Sequence, residues 1–123
     1  MRRIAWPRLL ALALALFFLL GGFVNLVPSA EISADYVRWG YPGWFPTVTG
    51  SLELVTAGLL VSSRTRMAGV GIGTLVMLGA LATLLFHSEL LHALAPLAVL
   101  AALAGVVALS RRAQPVRLKE YSQ

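Results

Sequence analysis

The chain alternates long apolar runs with short polar segments, and four of these runs are candidates for helices that cross a bilayer. They occupy residues 9–27, 47–62, 67–86 and 93–109. A helix rises about 1.5 Å per residue, so about 20 apolar residues cross a hydrocarbon core of about 30 Å. The pattern predicts an all-α fold, an integral membrane four-helix bundle in which residues 1–123 form one domain.

The first connection, residues 28–46, carries a helical pattern of its own. Ile32, Tyr36 and Trp39 recur at the spacing of one helix face, which predicts a short interfacial helix that Gly40 ends. Aromatic side chains are enriched at the interfaces of membranes. The residues that predict such an aromatic belt at the outer headgroup level are Trp39, Tyr41 and Trp44.

The first apolar run has a second interpretation, a cleaved signal peptide. Arg2 and Arg3 precede it, and Ala30 stands where cleavage would follow. Pro28, however, occupies a position where a small residue is preferred, and the run is longer than the apolar part of a usual signal. We therefore expect a retained membrane span.

Composition agrees with a membrane location and excludes several other classes. Hydrophobic residues make up 59% of the chain and charged residues 12%, whereas soluble domains have about 25% charged residues. The net charge is +5, but no basic stripe with interleaved aromatic residues predicts nucleic-acid binding. The chain has no cysteine, which excludes disulfides and thiolate metal sites.

The distribution of basic residues predicts the orientation in the membrane. Only Arg38 lies in the loops of one side, and the basic residues of the other side are Arg2, Arg3, Arg8, Arg64, Arg66, Arg111, Arg112, Arg117 and Lys119. Loops rich in arginine and lysine stay in the cytoplasm. We therefore expect a multi-pass protein of the cell membrane with both termini, including the tail 110–123, in the cytoplasm.

Three stretches together carry a resemblance to a known family: Gly-Phe-Val-Asn at 22–25, Gly-Tyr-Pro at 40–42 and Gly-Ser-Leu-Glu-Leu at 50–54. They resemble the DoxX-like family of small four-span membrane proteins, and the glycine-rich segment 69–80 is similar in character. The resemblance implies a four-helix membrane fold. For function it implies one of three roles. These are an accessory subunit beside a membrane oxidoreductase, a protein that holds a quinone or lipid-like ligand, and an assembly factor.

Glu53 is the most informative single residue, because a carboxyl inside a membrane is costly and usually faces the bundle interior. Thr49 shares its helix face, and Asn25, Thr83 and His87 lie at similar depth in the neighbouring spans. Two interpretations remain open, a ligand site in the outer half of the bundle or polar contacts that only join helices. The candidate ligand-binding residues are Glu53, Asn25, Thr49, Thr83, His87, Tyr41 and Trp44.

Two further motifs have structural explanations. His87 and His92 are five residues apart, so on a helix they point in different directions, and no metal site is expected. A pair between Glu89 and His92 at the i, i+3 spacing is expected instead. Gly69 and Gly73 form a GxxxG pair that permits close helix packing, within the chain or between two copies in a homo-oligomer.

The leading hypothesis for function is an accessory, non-catalytic subunit that holds a quinone or lipid-like ligand, with the bilayer and other membrane subunits as partners. A structural or assembly protein without a small ligand is the alternative. A proton-coupled carrier is less favoured because Thr74 is the only polar residue in the cytoplasmic half of the third span. No arrangement of a nucleophile and a base predicts catalytic activity.

Overall fold

A computed structural model describes residues 5–121, with side chains described for residues 5–112. It contains five helices in this part of the chain: α1 (Trp6–Leu26), α2 (Ala30–Arg38), α3 (Phe45–Val61), α4 (Arg66–Phe86) and α5 (Leu90–Tyr121). The predicted all-α fold is confirmed. Arg2 and Arg3, used above to predict orientation, lie outside the described residues, and the side chains of Arg117 and Lys119 lie outside those described.

Four of the helices form a closed ring, in which α1 packs on α3 and α5, and α4 packs on the same two helices. α1, α4 and α5 are each long and apolar enough to cross a membrane, while α3 is a shorter apolar helix of 17 residues. At about 1.5 Å per residue α3 reaches about 26 Å. The result is the predicted membrane bundle, with α2 as an additional short helix at one end.

The bundle core is made of closely packed apolar side chains from all four long helices. Phe18 of α1, Leu60 of α3 and Val106 of α5 are fully buried, and Met77 contributes from α4. Most of the remaining apolar side chains are exposed on the outside of the bundle, as Leu16 and Leu75 illustrate. An apolar exterior of this kind suits a hydrocarbon environment.

Residues at its two ends cap α2 and fix where the helix begins and ends. The Ser29 hydroxyl accepts a hydrogen bond from the backbone N–H of Ile32 at 3.3 Å, which caps the helix start. At the other end Gly40 has a φ of +82°, and its N–H bonds to the Val37 carbonyl. The N–H of Tyr41 bonds to the Tyr36 carbonyl, which completes a Schellman motif.

The last helix differs from its predicted extent. It begins at Leu90 rather than residue 93 and continues to Tyr121, through the segment predicted as a tail. Pro96 lies in the second turn of α5. Its missing N–H leaves the His92 carbonyl without the usual helical donor. Glu89 precedes the helix, and its carbonyl accepts the N–H of Ala93.

Candidate functional site

A cavity of about 570 Å³ lies between α3 and α4 and is covered by α2 and the turn that follows it. We call the end of the bundle that carries α2 the α2 end. Most of the cavity wall is apolar. These wall residues are Phe45, Val48, Leu52, Ile72, Leu75, Val76, Met77, Ala80 and Leu84. The polar residues of the wall belong to the two groups described next, with Thr49 and Trp39 beside them.

The first polar group depends on a close crossing of α1 and α3 at two glycines. A β-carbon on Gly50 would lie 2.8 Å from the carbonyl oxygen of Gly22, so neither helix tolerates a side chain there. This approach brings Glu53 against the α1 backbone at Gly21. Only 4% of Glu53 is exposed, and its Oε1 accepts a hydrogen bond from Nδ2 of Asn25.

Tyr36 of α2 extends this group into a chain of hydrogen bonds. Its hydroxyl donates to Oδ1 of Asn25 at 2.7 Å, and Asn25 in turn donates to Glu53. Burial raises the pKa of the Tyr36 hydroxyl above its ordinary value, so this group stays protonated and remains a donor. One residue from each of α1, α2 and α3 is thereby joined at the end of the cavity.

The second polar group joins the turn after α2 to α4. The hydroxyls of Tyr41 and Thr83 lie 2.5 Å apart, and the Thr83 hydroxyl donates to the Gly79 carbonyl at 2.9 Å. Since the proton of Thr83 is used in that way, Tyr41 is the donor to Thr83. The Tyr41 ring stacks on Phe45 with centroids 4.1 Å apart, which adds a flat aromatic surface to the wall.

Outside the cavity, Glu89 fastens the end of α2 to the start of α5. Its two oxygens accept hydrogen bonds at 2.7 Å, one from the Arg38 guanidinium and one from the Trp39 indole. The Trp39 N–H, helped by the charge of Arg38, holds the pKa of Glu89 below its usual range. His92, the partner expected from the i, i+3 spacing, lies farther from Glu89 than Arg38 and Trp39 do, with its Nδ1 3.9 Å from Oε1 of Glu89. Arg38 also pairs with Asp35.

The structure brings together five of the seven residues predicted for the site. Lining the cavity are Asn25, Tyr41, Thr49, Glu53 and Thr83. His87 does not line it, because α4 ends at Phe86 and the His87 ring lies back against its own helix, with Nδ1 2.8 Å from the Thr83 carbonyl oxygen. Trp44 is 62% exposed and also lies outside the cavity.

Three aromatic residues of the wall were missed as site residues: Tyr36, Trp39 and Phe45. The sequence pattern places Tyr36 and Trp39 on a helix face at the membrane interface, and that face is the one that α2 turns toward the cavity. The sequence did contain a signal for this contact, because an amphipathic helix beside a membrane bundle buries its apolar face. Its contact residue on α1, Asn25, is 11 positions away in the sequence.

The two glycines of the GxxxG pair in α4 pack within the chain. A β-carbon at Gly69 would lie 3.0 Å from Leu59 of α3, and one at Gly73 would lie 3.0 Å from both Phe18 and Thr56. The GxxxG face is therefore occupied by α1 and α3 of the same molecule. Within the described residues no three His, Asp or Glu side chains are grouped closely enough to hold a metal ion.

The stretches that carried the family resemblance meet at the α2 end of the cavity. Gly22 and Gly50 make the helix crossing, Asn25 and Glu53 share a hydrogen bond, and Tyr41 closes the wall. No curated protein and no solved structure gives a significant match to the chain. The sequence model of the DoxX-like family matches residues 9–106, the whole of the four-helix bundle up to the middle of α5. The chain is a membrane protein that belongs to the DoxX-like family.

Proposed function

We propose that this protein is an accessory subunit of a membrane oxidoreductase system and that it holds a quinone or another lipid-like ligand in the cavity between α3 and α4. The observation that carries the proposal is the make-up of the cavity, which has long apolar walls and a small polar group, Asn25, Tyr36 and Glu53, at one end. Ligand sites commonly combine a mostly apolar wall with a few placed polar groups, in volumes of about 300–1,000 Å³.

Access from the bilayer supports a lipid-soluble ligand. Leu52 of α3 and Leu75 of α4 line the cavity, and 41% and 71% of their surfaces are exposed on the apolar outside of the bundle. A molecule dissolved in the hydrocarbon would therefore reach the cavity between these helices without passing through water. The polar group at the α2 end would then meet the polar part of the ligand.

The accessory role follows from the chemistry of the lining residues and from the family resemblance. The cavity lining includes no nucleophile paired with a base, so the site is suited to binding rather than to covalent catalysis. Oxidoreductase partnership is what the DoxX-like resemblance implies. A stoichiometric oxidoreductase subunit that copurifies with the gently extracted protein would support it.

A structural or assembly role without a small ligand is the second candidate, and one observation favours it. Every fully buried side-chain nitrogen and oxygen in the described part of the chain has a hydrogen-bond partner. The polar groups therefore stabilise the bundle without a ligand, as interhelical hydrogen bonds do in membranes, at about 0.6 kcal/mol each on average.

A cavity-filling variant separates the two candidates. Gly79 lines the cavity and has open space where its β-carbon would be, so Gly79→Leu should add a side chain at the cavity wall with no clash at the β-carbon. Gly71 lies on the same helix, has the same free space and does not line the cavity, so Gly71→Leu is the matched control. Mass spectrometry of gently extracted protein should detect a bound lipid-soluble molecule in the wild type and in the control only. Equal ligand content in all three, or none in any, would contradict the proposed ligand site.

We further propose that both termini are cytoplasmic and that the α2 end faces outward. Arg64 and Arg66 lie in and after the turn between α3 and α4, at the opposite end from Arg38. Because the chain has no cysteine, single cysteines at Ser33 and Ser63 would report position without background. A membrane-impermeant thiol reagent should label the first only from outside and the second only from inside. Labelling from the same side would exclude this arrangement.

A further inference from the structure

We infer that the cavity has a second entrance, from the water at the α2 end, and that the indole of Trp39 closes it. A lipid-soluble ligand would then enter the cavity from the bilayer, and small water-soluble molecules would enter it past Trp39. This entrance would exist whether the cavity holds a quinone, another lipid-soluble molecule or only lipid, so it goes beyond the proposed function.

A second cavity, of about 500 Å³, lies between α2, the end of α4 and the start of α5. We call it the outer crevice. Its ionisable wall residues are Asp35, Arg38, Glu89 and His92. The side chains of Arg38 and His92 are 51% and 76% exposed. Charged side chains of a membrane protein stay in water or among the headgroups, so the outer crevice is open to the aqueous phase.

Trp39 and Leu84 belong to the walls of both cavities, so these two side chains form the partition between them. On the inner side, the Tyr36 ring meets the Trp39 ring edge-on with centroids 5.5 Å apart. On the crevice side, the Arg38 guanidinium lies 5.6 Å from the centre of the Trp39 ring, and the indole N–H donates to Glu89 at 2.7 Å. A single indole thus separates a cavity with apolar walls from a charged crevice.

Of the two residues in the partition, Trp39 is the one that can move without unfolding the bundle. Leu84 lies inside α4, where the helix fixes its backbone. Trp39 is the C-cap of α2, a helix with no buried residue, and Gly40 follows it with a φ of +82°. One side-chain hydrogen bond, to Glu89, holds the indole in place. Breaking it releases the ring, so an open state can exist as a minor population.

Closure by an indole suits a site that excludes water most of the time. The ring keeps water from the hydrogen bond between Asn25 and Glu53, and such bonds are stronger where the local dielectric is low. The outer crevice carries charges of both signs, so it does not select a solute by its net charge. The size of residue 39 would instead set which solutes pass.

Thiol labelling in nanodiscs tests this entrance, because the chain has no cysteine of its own. Ala80→Cys places a thiol in the wall of the inner cavity, and Ala82→Cys places one on the exposed outside of the same helix. A permanently charged methanethiosulfonate does not cross the hydrocarbon, whereas a lipid-soluble maleimide does. With Trp39 present, the Ala80→Cys variant should react slowly with the charged reagent and rapidly with the maleimide.

Two substitutions at Trp39 should then open the entrance by different amounts. Trp39→Phe keeps a ring but removes the N–H that Glu89 accepts, so the charged reagent should label the Ala80→Cys variant on the order of tenfold faster. Trp39→Ala removes the ring and should raise this rate further. Labelling by the maleimide should keep one rate in all three backgrounds. The Ala82→Cys control should not respond to either substitution.

An unchanged rate of charged labelling at Ala80→Cys in both Trp39 variants would overturn the inference. A rate with Trp39 present that already equals the rate in Trp39→Ala would overturn it as well, because the entrance would then have no closed state. Faster labelling of the Ala82→Cys control would show general loosening of the bundle in place of a local opening. If Trp39→Ala does not fold, Trp39→Phe alone decides. The comparison of Gly79→Leu with Gly71→Leu tests the ligand site separately.

Discussion

The close crossing of α1 and α3 gives the sharpest prediction for stability, because it positions the polar group of the cavity. A β-carbon added by Gly50→Ala would lie 2.8 Å from the carbonyl oxygen of Gly22 and 3.0 Å from the backbone N of Leu26. A carbon normally stays about 3.3 Å or more from a carbonyl oxygen. Both atoms belong to the backbone of α1 and cannot rotate away, so the two helices must separate by about half an ångström.

That separation has a cost that can be estimated. Overpacking of this kind costs about 1–3 kcal/mol, and a gap of about 0.5 Å forfeits roughly a quarter of each van der Waals contact along the interface. Replacing glycine by alanine in a helix returns up to about 1 kcal/mol. Gly58→Ala, on the same helix with open space around it, gains only this second term. Because both variants gain this second term, it cancels, and they should differ by the overpacking cost, about 1–3 kcal/mol.

Reversible unfolding in mixed micelles, followed by circular dichroism, measures this difference. Gly58→Ala should be as stable as the wild type or slightly more stable, and Gly50→Ala should be clearly less stable. Equal unfolding free energies for the two variants would show that α1 and α3 do not touch at Gly50, and the assignment of Glu53 to the interface with α1 would lose its basis.

Three further predictions use the same unfolding assay or hydrogen exchange. Gly73→Leu should lower the melting temperature because its side chain meets two buried residues; an unchanged melting temperature and oligomer size would place Gly73 on the lipid face. Ser88→Gly should raise stability by about 1 kcal/mol, since Ser88 has a φ of +58° that glycine adopts freely; no gain would mean that this turn is not strained. Glu89→Ala should speed amide exchange throughout α2, and Asp35→Ala, which removes only an exposed partner of Arg38, should not. Because folding lowers the pKa of Glu89, its contribution is present above the unfolded pKa and is lost as pH falls through the folded value. Acid should therefore lower the protection of the α2 amides, measured relative to their intrinsic exchange rates, in the wild type and not in Glu89→Ala.

The helices were predictable because their signals are local. The apolar runs and the positive-φ Gly40 after α2 act on their own neighbours, and each of them is where the sequence pattern indicates. Glu53 was also predictable as a residue that faces the bundle interior, because exposing a carboxyl to lipid is costly. Its hydrogen bond with Asn25 joins segments that both carry polar residues one turn from a glycine.

The contacts of α2 were not predictable from the same signals. The face that carries Tyr36 and Trp39 suits either the membrane interface or the bundle, and only the three-dimensional arrangement of Asn25 and Glu89 decides between them. His87 illustrates a different limit. Helical spacing places it on the face of Thr83, but the helix ends at Phe86, and a residue beyond a helix end no longer follows that spacing.

If the proposed ligand site is correct, stability and ligand binding depend on the same hydrogen bonds in this bundle. The chain from Tyr36 through Asn25 to Glu53 joins α2, α1 and α3, and it also forms the polar end of the cavity. A ligand that contacts this chain of hydrogen bonds would therefore stabilise the position of Tyr36 and with it the helix that covers the site. Any molecule that binds only the folded state raises stability as its concentration exceeds its dissociation constant, by about 2.7 kcal/mol at a hundredfold excess. Slower amide exchange in α2 upon addition of a quinone would thus connect the cover to the cavity, and exchange that slows only in α5, which does not line the cavity, would place the ligand elsewhere.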